Sequence, residues 1–392
     1  MRTPREGRSV RTAERTPLPD ELRSLGYPLL DDMRSTTKGG PLSTEGIAKA
    51  ELGQHVAEGA PVRAPRCWGT PAVGKTGGTA GADLPAPIRA SRRWGTPAAG
   101  ETGGTSPEAT NLSLSACRLC PRECGVNRLE GERGFCRAGR LARVAAVSVH
   151  HGEEPPISGT RGSGTIFFSH CNMKCLFCQN YPISQYGNGR EMDTETLAGE
   201  MLRLRDLGVH NVNFVTPTPH APQMLEAVLL ARGKGFDLPV VYNTNGYDAL
   251  ETLAFLDGVV DIYLPDAKYL SAELADTASE TPDYARHNEA AIDEMVRQVG
   301  FLSLGDDGIA SRGVLVRHLV LPGRVEETEA ILTHLSERHG PELPLSLMGQ
   351  YFPAWRAADV VGFDRKVTRK EYDRAIEAAS LLGFRNVFIQ ER

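Results

Sequence analysis

The sequence predicts an α/β fold: a partial (β/α)6-type TIM barrel, preceded by a small N-terminal Cys-rich module and a disordered N-terminal tail. Three observations predict it. From Gly162 onward, short β-like apolar runs alternate with helix-length amphipathic segments, the pattern of repeated βα units around a parallel sheet. Seven of the eight cysteines fall between Cys117 and Cys178 and the last 214 residues contain none, a distribution that suits metal or redox chemistry better than disulfide staples. Residues 1–111 hold 16 Gly and 12 Pro, no Phe and only three aromatics, so they bury too little apolar surface to offset chain entropy.

Domain boundaries follow from these shifts: a tail over 1–111, a four-cysteine metal-binding module over 112–159 and the barrel over 160–392. Within the tail, Ala60–Thr79 recurs as Ala86–Thr105 with five differences. Two copies are too few for a solenoid, which needs at least three stacked units. The second copy has Arg93 where the first has Cys67, so Cys67 is a poor metal ligand. A net charge of −5 spread over interspersed residues, with 40% hydrophobic content, describes a globular protein without a nucleic-acid surface or a membrane-binding patch. No apolar run approaches the roughly 20 residues that cross a bilayer, and the Arg-rich first residues lack a secretory apolar core, so a cytoplasmic location is expected.

In the barrel, strands are expected at Gly164–Ser169, Val212–Thr216, Pro239–Asn243, Val260–Pro265, Val314–Leu321, Leu343–Met348 and Asn386–Ile389. Helices are expected at Asp193–Asp206, Ala221–Lys234, Ala249–Leu256, Asn288–Gln298, Glu326–Glu337 and Arg369–Leu382. Units of this size favour a sheet curled into a barrel with its chemistry in the loops after the strands. An open doubly wound sheet is the alternative, because periodicity does not report curvature.

The first barrel strand runs into Cys171-Asn-Met-Lys-Cys175-Leu-Phe-Cys178. Three thiolates in one tight loop can ligate three irons of a cubane and leave the fourth iron open for chemistry. A zinc knuckle would instead need a fourth ligand such as His170. Upstream, Cys117, Cys120, Cys124 and Cys136 form a second set at C-x2-C-x3-C-x11-C spacing. Four thiolates saturate a zinc ion or all corners of a second cubane, so this is a closed site, structural or electron-relaying. Metal-free thiols are the remaining alternative.

The C-x3-C-x-aromatic-C loop after the first strand resembles the radical S-adenosylmethionine (SAM) superfamily. Cys117–Arg128, Gly152–Gly159, Gly162–Ser169, Cys178–Ser184, His210–Thr218, Asp261–Tyr269 and Arg317–Pro322 extend the likeness, over residues about 112–392, to an uncharacterised branch related to pyruvate formate-lyase activating enzymes. The resemblance implies a [4Fe–4S] cluster on Cys171, Cys175 and Cys178, SAM as cofactor, and an electron from a flavodoxin or ferredoxin. SAM is then cleaved to a 5′-deoxyadenosyl radical that abstracts hydrogen from a substrate the resemblance leaves open, a glycyl radical enzyme being one candidate. It also implies where SAM is met. After the second barrel strand, Thr216-Pro-Thr218-Pro-His220 replaces the usual Gly-Gly-Glu-Pro-like segment, so Thr216 and Thr218 are the candidates there, although the two prolines could simply stiffen the loop. Asn243-Thr-Asn245-Gly246 resembles the Thr-Asn-Gly segment of the activating enzymes, and is also ordinary turn chemistry.

Asp266 and Lys268 close the fourth strand on one face, suited to the SAM carboxylate or a substrate, or to a plain ion pair. Arg317 and His318 point to opposite faces of the fifth strand, so at most one looks inward. Three functions compete at this point: radical generation for a glycyl radical enzyme, radical modification of a small molecule or another protein residue, and a non-catalytic zinc-stabilised binding module.

Overall fold

The computed structural model describes residues 114–389. The tail expected to be disordered, with its duplication and Cys67, lies outside the described residues. Strands β1 (Ala142–His150), β2 (Ser163–Phe168), β3 (Arg190–Met192), β4 (Val212–Val215), β5 (Val240–Thr244), β6 (Ile262–Pro265), β7 (Ser303–Leu304), β8 (Ala310–Val314), β9 (Val316–Leu319), β10 (Leu345–Met348) and β11 (Val387–Ile389) carry the sheet. The helices are α1 (Pro155–Ser158), α2 (Tyr181–Ser184), α3 (Thr194–Asp206), α4 (Ala221–Gly233), α5 (Leu250–Phe255), α6 (Ala272–Ser279), α7 (Tyr284–Val299), α8 (Val325–His339) and α9 (Arg369–Leu381). Local chemistry sets several helix starts. Asp193 caps α3 by accepting from Thr196 N at 2.8 Å, and Thr368 with Glu371 forms a capping box at α9.

Strands β2, β4, β5, β6 and β8 pair in parallel in that order, and so do β9, β10 and β11. The single strand expected over Val314–Leu321 is realised in two pieces. A parallel bridge between Asp266 and Arg317 carries the edge of β6 from β8 onto β9, and Leu315 N between them still donates to Tyr263 O at 3.0 Å. The sheet curls into a partial barrel rather than lying open. The loop after β2, the first parallel strand, meets the loop after β10: Gln179 Nε2 donates to Gln350 O at 3.1 Å. Phe177 packs there on Tyr351 and Phe363, with ring centroids 5.5 and 6.2 Å apart. In a doubly wound sheet those loops would stand at distant edges.

Strand alternation separates two layers. Val212, Phe214, Val240, Tyr242, Val314 and Val316 pack outward under the helices, whereas Val241, Ile262, Leu264 and Leu315 face inward around Ile157 of α1. Ile157 is fully buried and fills the barrel interior, where each such aliphatic side chain contributes about 1.5–3 kcal/mol. The free edge of β2 is covered by antiparallel β1, which β3 extends. These two strands, β7, the stretch of β8 before Val314, and the helices α1, α2 and α6 add to the elements expected from the sequence.

Candidate functional site

The loop Ser169–Gln179 leaves β2 at the mouth of the barrel, and each of its three cysteines receives a polar group from elsewhere. Asn245, after β5, donates through Nδ2 to Cys171 Sγ at 3.3 Å and to Asn172 Oδ1 at 2.8 Å. Met173 N donates to the same sulfur at 3.4 Å. Ser279, the last residue of α6, donates its hydroxyl to Cys175 Sγ at 3.0 Å. Ser184 Oγ of α2 lies 3.2 Å from Cys178 Sγ. Burial and the neighbouring Cys175 push the Cys171 thiol up to about 12 and the Cys178 thiol up to about 11. In a buried pocket these groups therefore remain thiols until a cation compensates their charge.

The other predicted residues gather around this loop. Tyr284 of α7 lies with its hydroxyl 2.7 Å from the carbonyls of both Asn245 and Asp266, tying the loops after β5 and β6 together. Gly246 allows this. It has φ +77°, and a Cβ there would come within 2.3 Å of Asp266 O. Asp266 accepts from Lys268 Nζ at 2.7 Å and from Arg317 at 2.8 Å, and Arg317 Nη2 also donates to Asn243 Oδ1 at 2.7 Å. Burial raises the Asp266 carboxyl, but Arg317 and Lys268 outweigh it and hold the group below the usual carboxylate range. Asn243, Asp266, Lys268 and Arg317 thus form one polar shelf inside the barrel.

Arg317 is the inward member of its pair. His318 faces out, with Nδ1 2.6 Å from Ala267 O and Nε2 2.9 Å from Thr328 Oγ1 of α8. Thr216 sits at φ +58°, a strained position for a β-branched residue, at the end of β4. Thr218 is buried, and its hydroxyl donates to Asp248 Oδ1 at 2.7 Å within a network that also holds Tyr242 and Thr244. The Thr218 side chain anchors the loop from behind and does not present its hydroxyl to the barrel mouth.

Comparison with known proteins now bears on this arrangement. Residues 165–335 match the family described as the Radical SAM superfamily. The uncharacterized protein MJ0674 of Methanocaldococcus jannaschii is 32% identical over 272 residues, covering 67% of this chain and 74% of that protein. The chain belongs to the radical SAM superfamily. Among solved structures it is similar to the FeFe-hydrogenase maturase HydG from Carboxydothermus hydrogenoformans, at TM-score 0.43 and 12% identity, over 59% of this chain and 53% of that one. It is also similar to Streptococcus suis SuiB bound to S-adenosylmethionine, at TM-score 0.39 and 11% identity, over 57% of this chain and 48% of that one. The chain spans about half the length of these two structures.

Radical SAM membership implies a [4Fe–4S] cluster and SAM, and the donor set fits. Three thiols share one strand-end loop, with amide N–H or hydroxyl groups against each sulfur, the surroundings that stabilise thiolate ligands of iron.

The upstream cysteines line a second, separate pocket. Cys117, Cys120, Cys124 and Cys136 face it together with Phe135 and Arg128. Burial first, and the other thiols of the set after it, raise the Cys120 and Cys136 thiols. Phe135 N donates to Cys124 Sγ at 3.4 Å and Ala138 N to Cys136 Sγ at 3.5 Å. Arg128 is 1% exposed, donates through Nε to Gly139 O at 3.0 Å, and has no carboxylate partner among the described residues. Its Nη1 lies 3.9 Å from Cys117 Sγ. Among the described residues, no three His, Cys, Asp or Glu side chains are already drawn together as a cage for a single metal ion.

Arg122 joins this module to the radical SAM loop. Its Nε donates to Asn172 O at 3.2 Å, Nη2 donates to Glu280 O, and the guanidinium stacks 3.8 Å over Phe135. The sequence did not single out Ser184, Ser279, Asn172, Arg122 or Arg128. Ser279, Asn172 and Arg122 act across long sequence separations; Ser184 stands only six residues from Cys178, and the isolated charge of Arg128 shows only once its burial is known.

Proposed function

We propose that this protein binds SAM at the barrel mouth and cleaves it reductively, and that Cys171, Cys175 and Cys178 hold the cluster that makes this possible. The observation that carries the reading is the triad of thiols, three and not four, each with its own polar partner, at the end of the first parallel strand. Held by Cys171, Cys175 and Cys178, a [4Fe–4S] cluster would supply the one electron that breaks the C5′–S bond of SAM to methionine and a 5′-deoxyadenosyl radical. The chain's own residues do the rest. Asn245 holds Cys171 and Asn172 in register. Lys268 is the cation of the polar shelf; burial disfavours its charge, but Asp266 and the Cys175 sulfur outweigh that and keep it protonated, so it can receive a carboxylate. Asp266, Asn243 and Arg317 orient that ammonium, and Tyr284 with Asn288 fixes the loops that carry them.

The four-cysteine module completes the reading as a second metal centre, zinc or iron–sulfur. A buried guanidinium without a carboxylate is costly unless anionic ligands face it, and metal-bound thiolates at Cys117, Cys120, Cys124 and Cys136 supply that charge. Activation of a glycyl radical enzyme is the use of the radical that the Thr244-Asn-Gly246 and Asp266-Ala-Lys268 segments favour, with an acidic flavodoxin or ferredoxin as electron source. No helix among the described residues is long and apolar enough to cross a membrane.

Anaerobic protein with dithionite and SAM should release 5′-deoxyadenosine and methionine, and Cys171→Ala, Cys175→Ala or Cys178→Ala should each bring release to background. Undiminished product from any of the three would sink the cluster assignment. Product analysis with candidate glycyl radical partners then tests the use of the radical.

A further inference from the structure

Beside the cysteine loop, a pocket opens between the four-cysteine module and the barrel, lined by Arg133, Arg137, Arg143, His170, Tyr186 and Glu191. Glu191 is its single carboxylate, and it already stands 3.9 Å from Arg143. Arg133 and Arg137 are exposed and have no carboxylate partner among the described residues. The Lys174 ammonium adds charge nearby, 5.1 Å over the Phe135 ring. In a chain of net charge −5 this is a concentrated positive field that Glu191 alone offsets in the pocket lining.

The floor of the pocket lies against the metal-bearing loop. Arg143 Nε donates to Gly187 O at 2.6 Å, and Gly187 packs so closely on His170, the residue before Cys171, that a Cβ there would come within 2.4 Å of the ring. At the rim stands an exposed tyrosine, backed by half-buried aromatics. Tyr186 is 64% exposed and meets Tyr181 edge-on at 5.6 Å, Tyr181 stacks on Trp355 at 6.3 Å, and Arg356 lies 4.5 Å over Trp355. Arginine and aromatic side chains together are the composition of protein-binding hot spots.

We propose that this face is the docking surface for an acidic one-electron donor protein, which delivers its electron across His170 and Cys171. The inference rests on the SAM-cleavage reading. The half-open, arginine-rimmed shape suits the small, weak interface of a redox encounter better than a pocket that must bury a small ligand. The chain's own N-terminal tail is a poor occupant, because residues 1–111 carry 15 Lys and Arg against 12 Asp and Glu.

The test uses the cluster-loaded full chain and a flavodoxin hydroquinone as the acidic carrier, with cluster bleaching followed by stopped flow. Raising salt from about 0.02 to 0.3 M should slow cluster reduction by roughly tenfold. Arg133→Glu with Arg137→Glu should slow it by about tenfold at low salt and flatten the salt dependence, whereas Arg133→Lys with Arg137→Lys should restore both. Reduction by dithionite, which needs no docking, should stay at the parent rate in every variant. If the charge reversal costs the protein its iron, the parent's salt dependence and a several-fold slowing in Tyr186→Ala decide the matter.

A carrier rate indifferent to salt and to charge reversal would overturn the proposal. So would saturable binding of inorganic phosphate in the pocket with the carrier rate unchanged by reversal, which would make it a small-anion site. These results are separable from failure of the SAM reading, which would appear as no 5′-deoxyadenosine with dithionite.

Discussion

The two cysteine regions solve opposite problems with the same side chain. In the loop at Cys171, Cys175 and Cys178, two of the four groups that meet the sulfurs come from distant elements: Asn245 follows β5 and Ser279 ends α6, whereas Ser184 and Met173 are local. In the module the donors to Cys124 and Cys136 are backbone amides of its own short stretch, and Arg128 rises from the same few turns. Its core is small as well, with Leu114, Cys117 and Leu119 packed against Val126 and Leu129. Such a core is too little to hold a fold on its own, so a metal is the natural staple. The barrel, by contrast, brings side chains from the loop after β5 and from α6 to its cysteines. One site borrows its order from the fold, and the other must supply order to its own stretch of chain.

The largest effect expected from this contrast belongs to the module. Cys120→Ala with Cys124→Ala should remove one zinc, or about four irons if the centre is a cubane. It should also lower the melting temperature by on the order of 5–10 °C. Some SAM cleavage should persist, because Cys171, Cys175 and Cys178 keep their partners. Cys175→Ala should do the reverse, ending cleavage with little change in melting temperature. Equal thermal loss in both variants would erase the distinction between a site the fold builds and a site that builds itself.

The same contrast explains what could be read from the sequence. Spacing within one loop is a local property, so both cysteine sets and the βα rhythm were legible, as was the rule that only one of Arg317 and His318 faces inward. Strand β1 was missed because Ala142–His150 buries its residues only in part, at the edge of β2, and so lacks a continuous apolar run. Ser279 and Cys175 are 104 residues apart and meet because α6 returns to the mouth, which no local pattern encodes. Thr218 illustrates the opposite case: its position in the loop was visible, but its hydroxyl is committed to Asp248, a residue that sequence gave no reason to link to it.

A smaller effect sharpens the account of the cysteine loop. Ser279→Ala deletes the O–H···S contact and the 2.7 Å bond between the Ser279 and Tyr269 hydroxyls, and leaves Lys174 N to Ser279 O, a backbone bond of 3.1 Å, intact. Hydrogen bonds to cluster sulfurs raise the reduction potential, so the midpoint of the loaded protein should fall by tens of millivolts, with iron content unchanged and the melting temperature lowered by only a few degrees through the Tyr269 hydroxyl left without its partner. An unchanged potential, measured by redox titration of the cluster's spectroscopic signal, would mean that Ser279 is there for packing alone.

The smallest effect concerns the electrostatics of the barrel interior, away from either set of thiols. Glu153 reaches the shelf from the loop before α1, 3.7 Å from Arg317 Nη1. Burial, with Glu154 beside it, pushes its carboxyl from 4.5 up to about 7 despite Arg317. Because the folded value is raised, the folded state holds a proton that the unfolded chain has already lost between pH 4.5 and 7. Stability therefore falls as pH climbs through that window, and the penalty is complete above it. Glu153→Gln carries no such proton, so the variant should gain on the parent by about 1–3 kcal/mol between pH 4.5 and 8. Thermal melts of both proteins at the two ends of the range measure this directly. A constant gap would show that Glu153 ionises freely, and that the barrel interior is as open to water as the arginine-rimmed pocket beside the cysteine loop.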